Sequence, residues 1–339
     1  MKKNFTVFFI VMVTMVVLAA CGSSEGTTGE SNTEAAGEGE SYTFKLTHIT
    51  GPSHNWHQTA EKFSEELEAL SNGRMTLEIF PSGQLGSEGD MIQQIETGTV
   101  DFGFITNAYL STRVDTLNGW FMPFLFEDLE AANAAKGTPE AKQMLEDLSN
   151  DSMIALDFAF AGNRHILMTD GTISSPDELQ GKRIRVIGSP AIQDFWVETG
   201  ASPTPMPLPE VYTSLQTGVI DGIDIDLDAL VSNALYEIAH DLTLTNHMAF
   251  PSVAIMSRQT RDSLSEEDIA IVDEALATAI EWGIQDQIQR EIDNLEYLKE
   301  QGLNIIDFNN TNAFDSINAV VYEKYSENET IRSIIEAYK

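Results

Sequence analysis

A strand–helix–strand unit with the same punctuation occurs twice in this chain, and that repetition restricts the architecture more than any other feature. Met75, Leu77 and Ile79 alternate with Thr76 and Glu78, and Pro81 ends the run. A helical stretch follows, and Thr97-Gly98-Thr99-Val100-Asp101-Phe102-Gly103 leads into a new strand. Ser202–Met206, Pro207, a second helical stretch and Thr217-Gly218-Val219-Ile220-Asp221-Gly222 repeat the plan. In each unit a glycine ends the helix and a short apolar run starts the next strand. Strands and helices alternating in this way specify an α/β fold with largely parallel sheets. Two such units in series describe two similar lobes around a cleft.

The flanking sequence extends the same reading. Tyr42, Phe44 and Leu46 alternate with Thr43, Lys45 and Thr47, as in a half-buried strand. Trp56, Ala60, Phe63, Leu67 and Leu70 recur at helical spacing, and Asn72-Gly73 closes that helix. Thr138-Pro139 and Ser175-Pro176 read as helix N-caps followed by proline at the first helical position. After Ser265, a stripe from Ile269 through Val272, Leu276, Ile280, Ile284, Ile288 and Leu295 to Leu298 lasts until Gly302. One helix, or two abutting, occupies this stretch. An unbroken helix of that length is about 50 Å long, more than one domain needs, so it is expected to lie across both lobes.

The N-terminus sets the compartment. Lys2 and Lys3 precede an apolar run that ends Leu18-Ala19-Ala20-Cys21. A charged start, an apolar core and small residues before the cut define a secretory signal over residues 1–20. The run is shorter than a transmembrane helix requires. The cysteine directly after it marks a bacterial lipoprotein, with Cys21 as the lipidation site. Cys21 is the only cysteine, so disulfides, zinc–thiolate clusters and a cysteine nucleophile are excluded. Residues 21–41 are small and polar and read as a flexible tether. With 53 acidic against 19 basic residues the net charge is −34, which excludes nucleic acid as a partner and disfavours anionic lipid head groups. On such a background, an arginine aimed at a buried ligand is informative.

Enzyme signatures are scarce. The chain has no Gly-x-Ser-x-Gly, no Gly-x-Gly-x-x-Gly, no phosphate loop and no His-Glu-x-x-His. His54 and His57 stand three apart at a helix start but lack a third histidine, so they read as capping or cleft-lining residues rather than metal ligands. Asp224-Ile225-Asp226-Leu227-Asp228 lacks the glycine and the twelfth-position glutamate of a calcium loop. No metal and no cofactor is expected. In Arg183-Ile184-Arg185-Val186, alternation sends both guanidiniums from one face of a strand, and Arg164 opens another predicted strand, 164–169. Two guanidinium forks meeting at one point would clamp a carboxylate through charge-assisted hydrogen bonds.

Several motifs jointly resemble one family. They are Gly83-Gln84-Leu85-Gly86, Thr97–Asp101, Pro123-Phe124-Leu125-Phe126, Asp177–Val186, Gly200–Pro207 and Leu215–Gly222. Over roughly residues 42–320 the chain is similar to the extracytoplasmic solute-binding proteins of tripartite ATP-independent periplasmic (TRAP) transporters, of the dicarboxylate-binding type. The resemblance implies a bilobal cleft protein, a long helix across both lobes, and an organic-acid ligand delivered to small and large membrane subunits. It places the carboxylate-clamping arginine at Arg185 and a second arginine at Arg164. Gln84, Asn107 and Trp56 join them as candidate ligand contacts. Expected boundaries are 42–161 with 250–288 for the first lobe and 162–249 with 289–339 for the second, in a monomer.

One departure bears on the ligand. Where many members have Asp-Gly-Gln-Glu-Asn-Pro, this chain has Asp221-Gly222-Ile223-Asp224-Ile225-Asp226, so the family's asparagine contact becomes Ile225. Alternation puts Asp224, Asp226 and Asp228 on one face. Facing the cleft, Asp224 and Asp226 would accept from sugar hydroxyls; otherwise they form a solvated acidic edge. The first arrangement favours a uronate or aldonate over a C4-dicarboxylate or keto acid. An exported enzyme acting on a carboxylated sugar is the rival class, and it would need a base or nucleophile beside the arginines.

Overall fold

The computed structural model describes residues 39–339. The signal sequence, Cys21 and most of the tether lie outside the described residues. Eleven strands follow in chain order among them: β1 Tyr42–His48, β2 Met75–Phe80, β3 Phe102–Thr106, β4 Met153–Asn163, β5 His165–Met168, β6 Arg183–Val186, β7 Ser202–Pro205, β8 Gly222–Ile225, β9 Asp241–Leu244, β10 Ala249–Ser257 and β11 Asn304–Asp307.

They form two sheets, ordered β2-β1-β3-β10-β4 and β11-β9-β5-β8-β6-β7. The repeated sequence unit is a repeated topology. In the first sheet β1 runs parallel to both β2 and β3. In the second, β6 runs parallel to both β7 and β8. Each unit thus wraps a central strand that precedes it in the chain. The joining helices are α2, Glu88–Glu96, in the first sheet's unit and Val211–Gln216 in the second's. Gly98 and Gly218 close these helices at φ +68°, a left-handed conformation that side chains with a Cβ rarely adopt.

Two of the chain's crossings between the sheets lie side by side. Strand β4 ends the first sheet at Asn163, and β5 enters the second at His165, with Arg164 between them. The return runs from β9 to β10 through 245–248. The two crossings are tied together, since Arg164 N donates to Met248 O at 2.7 Å and His247 N to Arg164 O at 3.2 Å.

The stripe after Ser265 is a single helix, Glu266–Glu300, capped by Ser265 Oγ accepting from Asp268 N at 3.1 Å. Val272, Ala275, Leu276, Ala279, Ile280 and Ile284 pack in the larger core, whereas Leu298 belongs to the smaller core with Leu167, Val211, Ile223, Leu230 and Leu242. The helix therefore joins both cores, as its length implied. It packs on α1, Asn55–Leu70, so closely at Gly283 that a Cβ there would strike Thr59. None of the described helices is long and apolar enough to cross a membrane.

Two local expectations fail. Ser175-Pro176 starts only a short 3-10 turn, Pro176–Leu179, and its serine makes no capping bond. The C-terminal helix Glu329–Tyr338 buries Ile331 and Ile334 in the larger core and packs on Pro139–Leu148 and Asp115–Phe121. The last residues thus lie against the first sheet's side rather than with the second lobe.

Candidate functional site

A narrow cavity, offering about 30 Å³ to the centre of a water-sized sphere, lies between the two sheets. Thr50, His54, Trp56, Glu88 and Thr106 line it from the first sheet's side, Arg164 and Phe250 from the crossings, and Arg185, Ile225 and Asp226 from the second.

Arg185 reaches the cavity because its neighbours Ile184 and Val186 are held in the core, which turns the residue between them to the other face of β6. Its Nε donates to Met206 O at 3.1 Å, while Nη1 is buried with no partner among the described residues. Burial, and then repulsion from Arg164, pushes its pKa down to about 9, so it stays charged at neutral pH. Arg183, two residues earlier, is exposed and paired with Asp221 by a 2.5 Å bond. It takes no part in the cavity.

Arg164 is committed elsewhere. Its Nε donates to Asp224 Oδ1 at 2.5 Å, its Nη1 to Asp226 Oδ2 at 2.9 Å, and its Nη2 to the Asp224 carbonyl. The guanidinium lies 4.4 Å from the centre of the Phe250 ring. Three of its five N–H donors are used, so Arg164 is a pillar of the cavity wall with limited capacity for ligand.

The acidic run departs from both readings of the sequence. Strand β8 ends at Ile225, and Asp226 caps the next helix, Leu227–Ser232, accepting from Ala229 N at 2.7 Å. Alternation stops there, and Ile225 itself lines the cavity. Asp224 turns away from it to Arg164, Trp196 Nε1 at 2.8 Å and His247 Nε2 at 3.4 Å. Burial alone would raise the Asp224 pKa, but Arg164 and His247 together hold it well below the usual carboxylate range. Asp226, with less help, is pushed up by burial. Asp228 accepts from Asn55 N at 2.7 Å and from Arg290. All three are buried, so none is a solvated edge; Asp224 and Asp228 serve protein donors, while Asp226 binds Arg164, caps its helix and still lines the cavity.

Among the remaining candidates, Trp56 lines the cavity, stacked on Phe250 at 6.3 Å. Gln84 is exposed on a loop outside it. Asn107 is buried beneath β3, donating to Leu117 O at 2.9 Å, and does not reach the cavity wall. His54 caps α1 with Nδ1 accepting from Trp56 N at 3.1 Å. Its Nε2 therefore carries the proton, and that atom and Trp56 Nε1 are both buried without partners among the described residues. His54 Nε2 lies nearest to Asp228 Oδ2, at 3.8 Å, and Asp226 Oδ1, at 3.9 Å, both beyond hydrogen-bond distance.

Glu88 was not legible in the sequence. It opens α2, accepts from Thr106 N at 2.8 Å and Thr106 Oγ1 at 3.1 Å, and faces Arg185 across the cavity. Burial pushes its pKa up to about 7 from 4.5, against the pull of those donors and Arg185. The folded state binds this proton more tightly than the unfolded one. Stability from Glu88 is therefore full below about pH 4.5 and lost as the pH rises towards 7, a change of about 3 kcal/mol. Glu88→Gln is expected to flatten that slope and exceed wild-type stability at pH 8 in urea denaturation. Equal stability of the two proteins at pH 8 would contradict it.

No group of three or more His, Cys, Asp or Glu among the described residues is placed to hold a metal ion. A cavity between two α/β lobes, with a buried arginine on its wall that keeps one nitrogen without a partner among the described residues, suits a bilobal solute-binding protein. The model of the bacterial extracellular solute-binding proteins, family 7, matches residues 46–328, and the chain belongs to that family. It is 31% identical over 295 residues to a solute-binding protein of Roseobacter denitrificans, covering 87% of this chain and 90% of that one. A TRAP periplasmic solute-binding protein from Sulfitobacter, solved with β-D-galacturonate, is 25% identical, with a TM-score of 0.82, covering 88% of this chain and 99% of that one. Another from Anaerococcus prevotii, solved with α/β D-glucuronate, is 26% identical, with a TM-score of 0.82 and coverages of 87% and 96%. These relatives are binding proteins, not enzymes.

Proposed function

We propose that this protein captures a hexuronate or a related sugar acid for a TRAP transporter. The observation that carries the reading is Arg185, a buried guanidinium on the cavity wall whose Nη1 has no partner among the described residues. An unpaired buried donor costs free energy, and a ligand carboxylate would satisfy it. Arg185 takes the carboxylate; Arg164, largely spent on Asp224 and Asp226, supports it. Thr50, Thr106 and Glu88 meet hydroxyls, and Trp56 offers a ring to the sugar's apolar face. A C4-dicarboxylate would bring its second charge towards Glu88 and Asp226, where repulsion disfavours it. The uronates bound in two relatives support the same class. The paired crossings at 163–165 and 245–248 serve as the hinge about which the lobes close before delivery to small and large membrane subunits.

A thermal-shift screen of D-galacturonate, D-glucuronate, D-galactonate, succinate and pyruvate tests the ligand. A sugar acid at a hundredfold its Kd should stabilise by about 2.7 kcal/mol, a shift on the order of 5 °C. Response to succinate alone would reject the reading.

The same proposal places the protein on the outer face of a membrane through Cys21. Leu18-Ala19-Ala20-Cys21 supports it. Cys21→Ser should abolish incorporation of labelled palmitate and move the protein from the membrane to the soluble fraction. Membrane retention of the variant would count against the anchor.

A further inference from the structure

Two buried histidines outside the cavity join its wall to the protein surface. Thr50 Oγ1, on the cavity wall, lies 3.0 Å from His48 Nδ1. His48 Nε2 lies 3.1 Å from His57 Nδ1, and His57 Nε2 lies 3.5 Å from Oε1 of Glu61, one helical turn on. Glu61 is half exposed, while His48 and Thr50 are buried.

We infer that this relay fixes Thr50 as a hydrogen-bond acceptor towards the cavity, so that it selects a ligand hydroxyl over a carbonyl or ether oxygen. The inference rests on the sugar-acid reading above. An ionised carboxylate only accepts, so the His57 tautomer facing Glu61 carries its proton on Nε2 and presents a bare Nδ1. His48 must then donate from Nε2, which leaves its own Nδ1 bare. The Thr50 hydroxyl donates to that nitrogen, and its lone pairs are what remain for the ligand. Each step follows from the one before because a neutral imidazole has one donor and one acceptor.

Both rings are held neutral. Burial pushes His48 down to about 3, and burial lowers His57 against the pull of Glu61. The titratable groups that act on the pair are Glu61 and His54 on and beside α1; near the start of that helix, at Asn55 and Ser53, the long helix brings Asp286 and Arg290. The last two pair with each other, and Asp286 also binds Asn55. The Thr50 backbone, whose carbonyl also accepts from Ser82 N at 2.8 Å, pulls for a proton on His48 against the direction set by Glu61 at the other end of the relay. A second proton on His57 would reverse the whole chain and turn the Thr50 hydroxyl into a donor.

Two measurements on the full-length mature protein test this. Long-range proton–nitrogen correlation spectra without ligand, at pH 7.5, should show both His48 and His57 protonated on Nε2. A proton on His48 Nδ1 overturns the relay. Glu61→Gln, whose amide can donate as well as accept, should give mixed tautomers at both rings; unchanged spectra would show that Glu61 does not set the chain. Calorimetry with D-galacturonate and D-glucuronate should then show binding about tenfold weaker in Thr50→Val. Wild-type affinity in that variant overturns the selective role of Thr50. If neither uronate binds the wild-type protein, the sugar-acid reading fails and the tautomers alone decide the relay.

Discussion

Replacing Arg185 with methionine should abolish ligand binding and, in the same protein, raise the stability of the ligand-free form. The guanidinium is 1% exposed, keeps one nitrogen without a partner among the described residues, and faces a second buried arginine. Without ligand that arrangement is a cost, since a buried group unsatisfied by hydrogen bonds destabilises by about 1–3 kcal/mol. Methionine replaces its apolar stem and removes the charge, at the loss of one bond to the Met206 carbonyl. With ligand the balance inverts. Losing one partner of a desolvated, hydrogen-bonded charge pair costs about 2–5 kcal/mol, which is 30-fold to several thousandfold in affinity. Calorimetry with D-galacturonate and urea denaturation without it measure the two effects separately. Wild-type affinity would remove Arg185 from the site. A less stable ligand-free variant would show that the arginine has a structural partner.

The opposite signs also explain why some of the site was legible from sequence and some was not. Arg185 stood out because alternation in Arg183-Ile184-Arg185-Val186 fixes which residues face the core, and an arginine so placed in an acidic chain needs a reason. Alternation does not say which of two arginines on one face is exposed; that depends on Asp221, the residue just before β8, the strand paired with β6. The acidic run misled for a related reason. Period-two patterning holds only while the strand lasts, and β8 ends at Ile225 where Asp226 turns to cap a helix. Its aspartates were read as facing ligand or water, whereas they face Arg164 and Arg290, 60 or more residues away in sequence. Glu88 gave no signal, because a glutamate in the first helical turn after a serine cap is ordinary; only the approach of Thr106 buries it. The fold was more readable. Two repeated units became two repeated topologies, and a stripe too long for one domain became a helix in both cores.

Asp224→Ala should be the most destabilising single change in the second lobe, by about 3–5 kcal/mol, because it breaks a buried ion pair from one side. Arg164 is 2% exposed, and Asp224 gives it both a carboxylate oxygen and the backbone carbonyl. Truncation leaves Nε without its acceptor, unpairs Trp196 Nε1 and strips His247 of its charged neighbour. The pH dependence carries the same signature. The folded pKa of Asp224 is depressed, so its contribution is present above about pH 3.8 and is lost as the pH falls below that. In urea denaturation the wild type and the variant should therefore differ most near neutral pH and converge in acid. A second variant separates charge from shape. Arg164→Met added to Asp224→Ala removes the orphaned cation, and replacing both partners of a buried pair by apolar groups is far less costly than removing one. The double variant should recover a large part of the lost stability, a positive coupling between the two sites. Additive losses would show that the two side chains act independently, and a single-variant loss below about 1 kcal/mol would show that the pair does not hold the crossing in place.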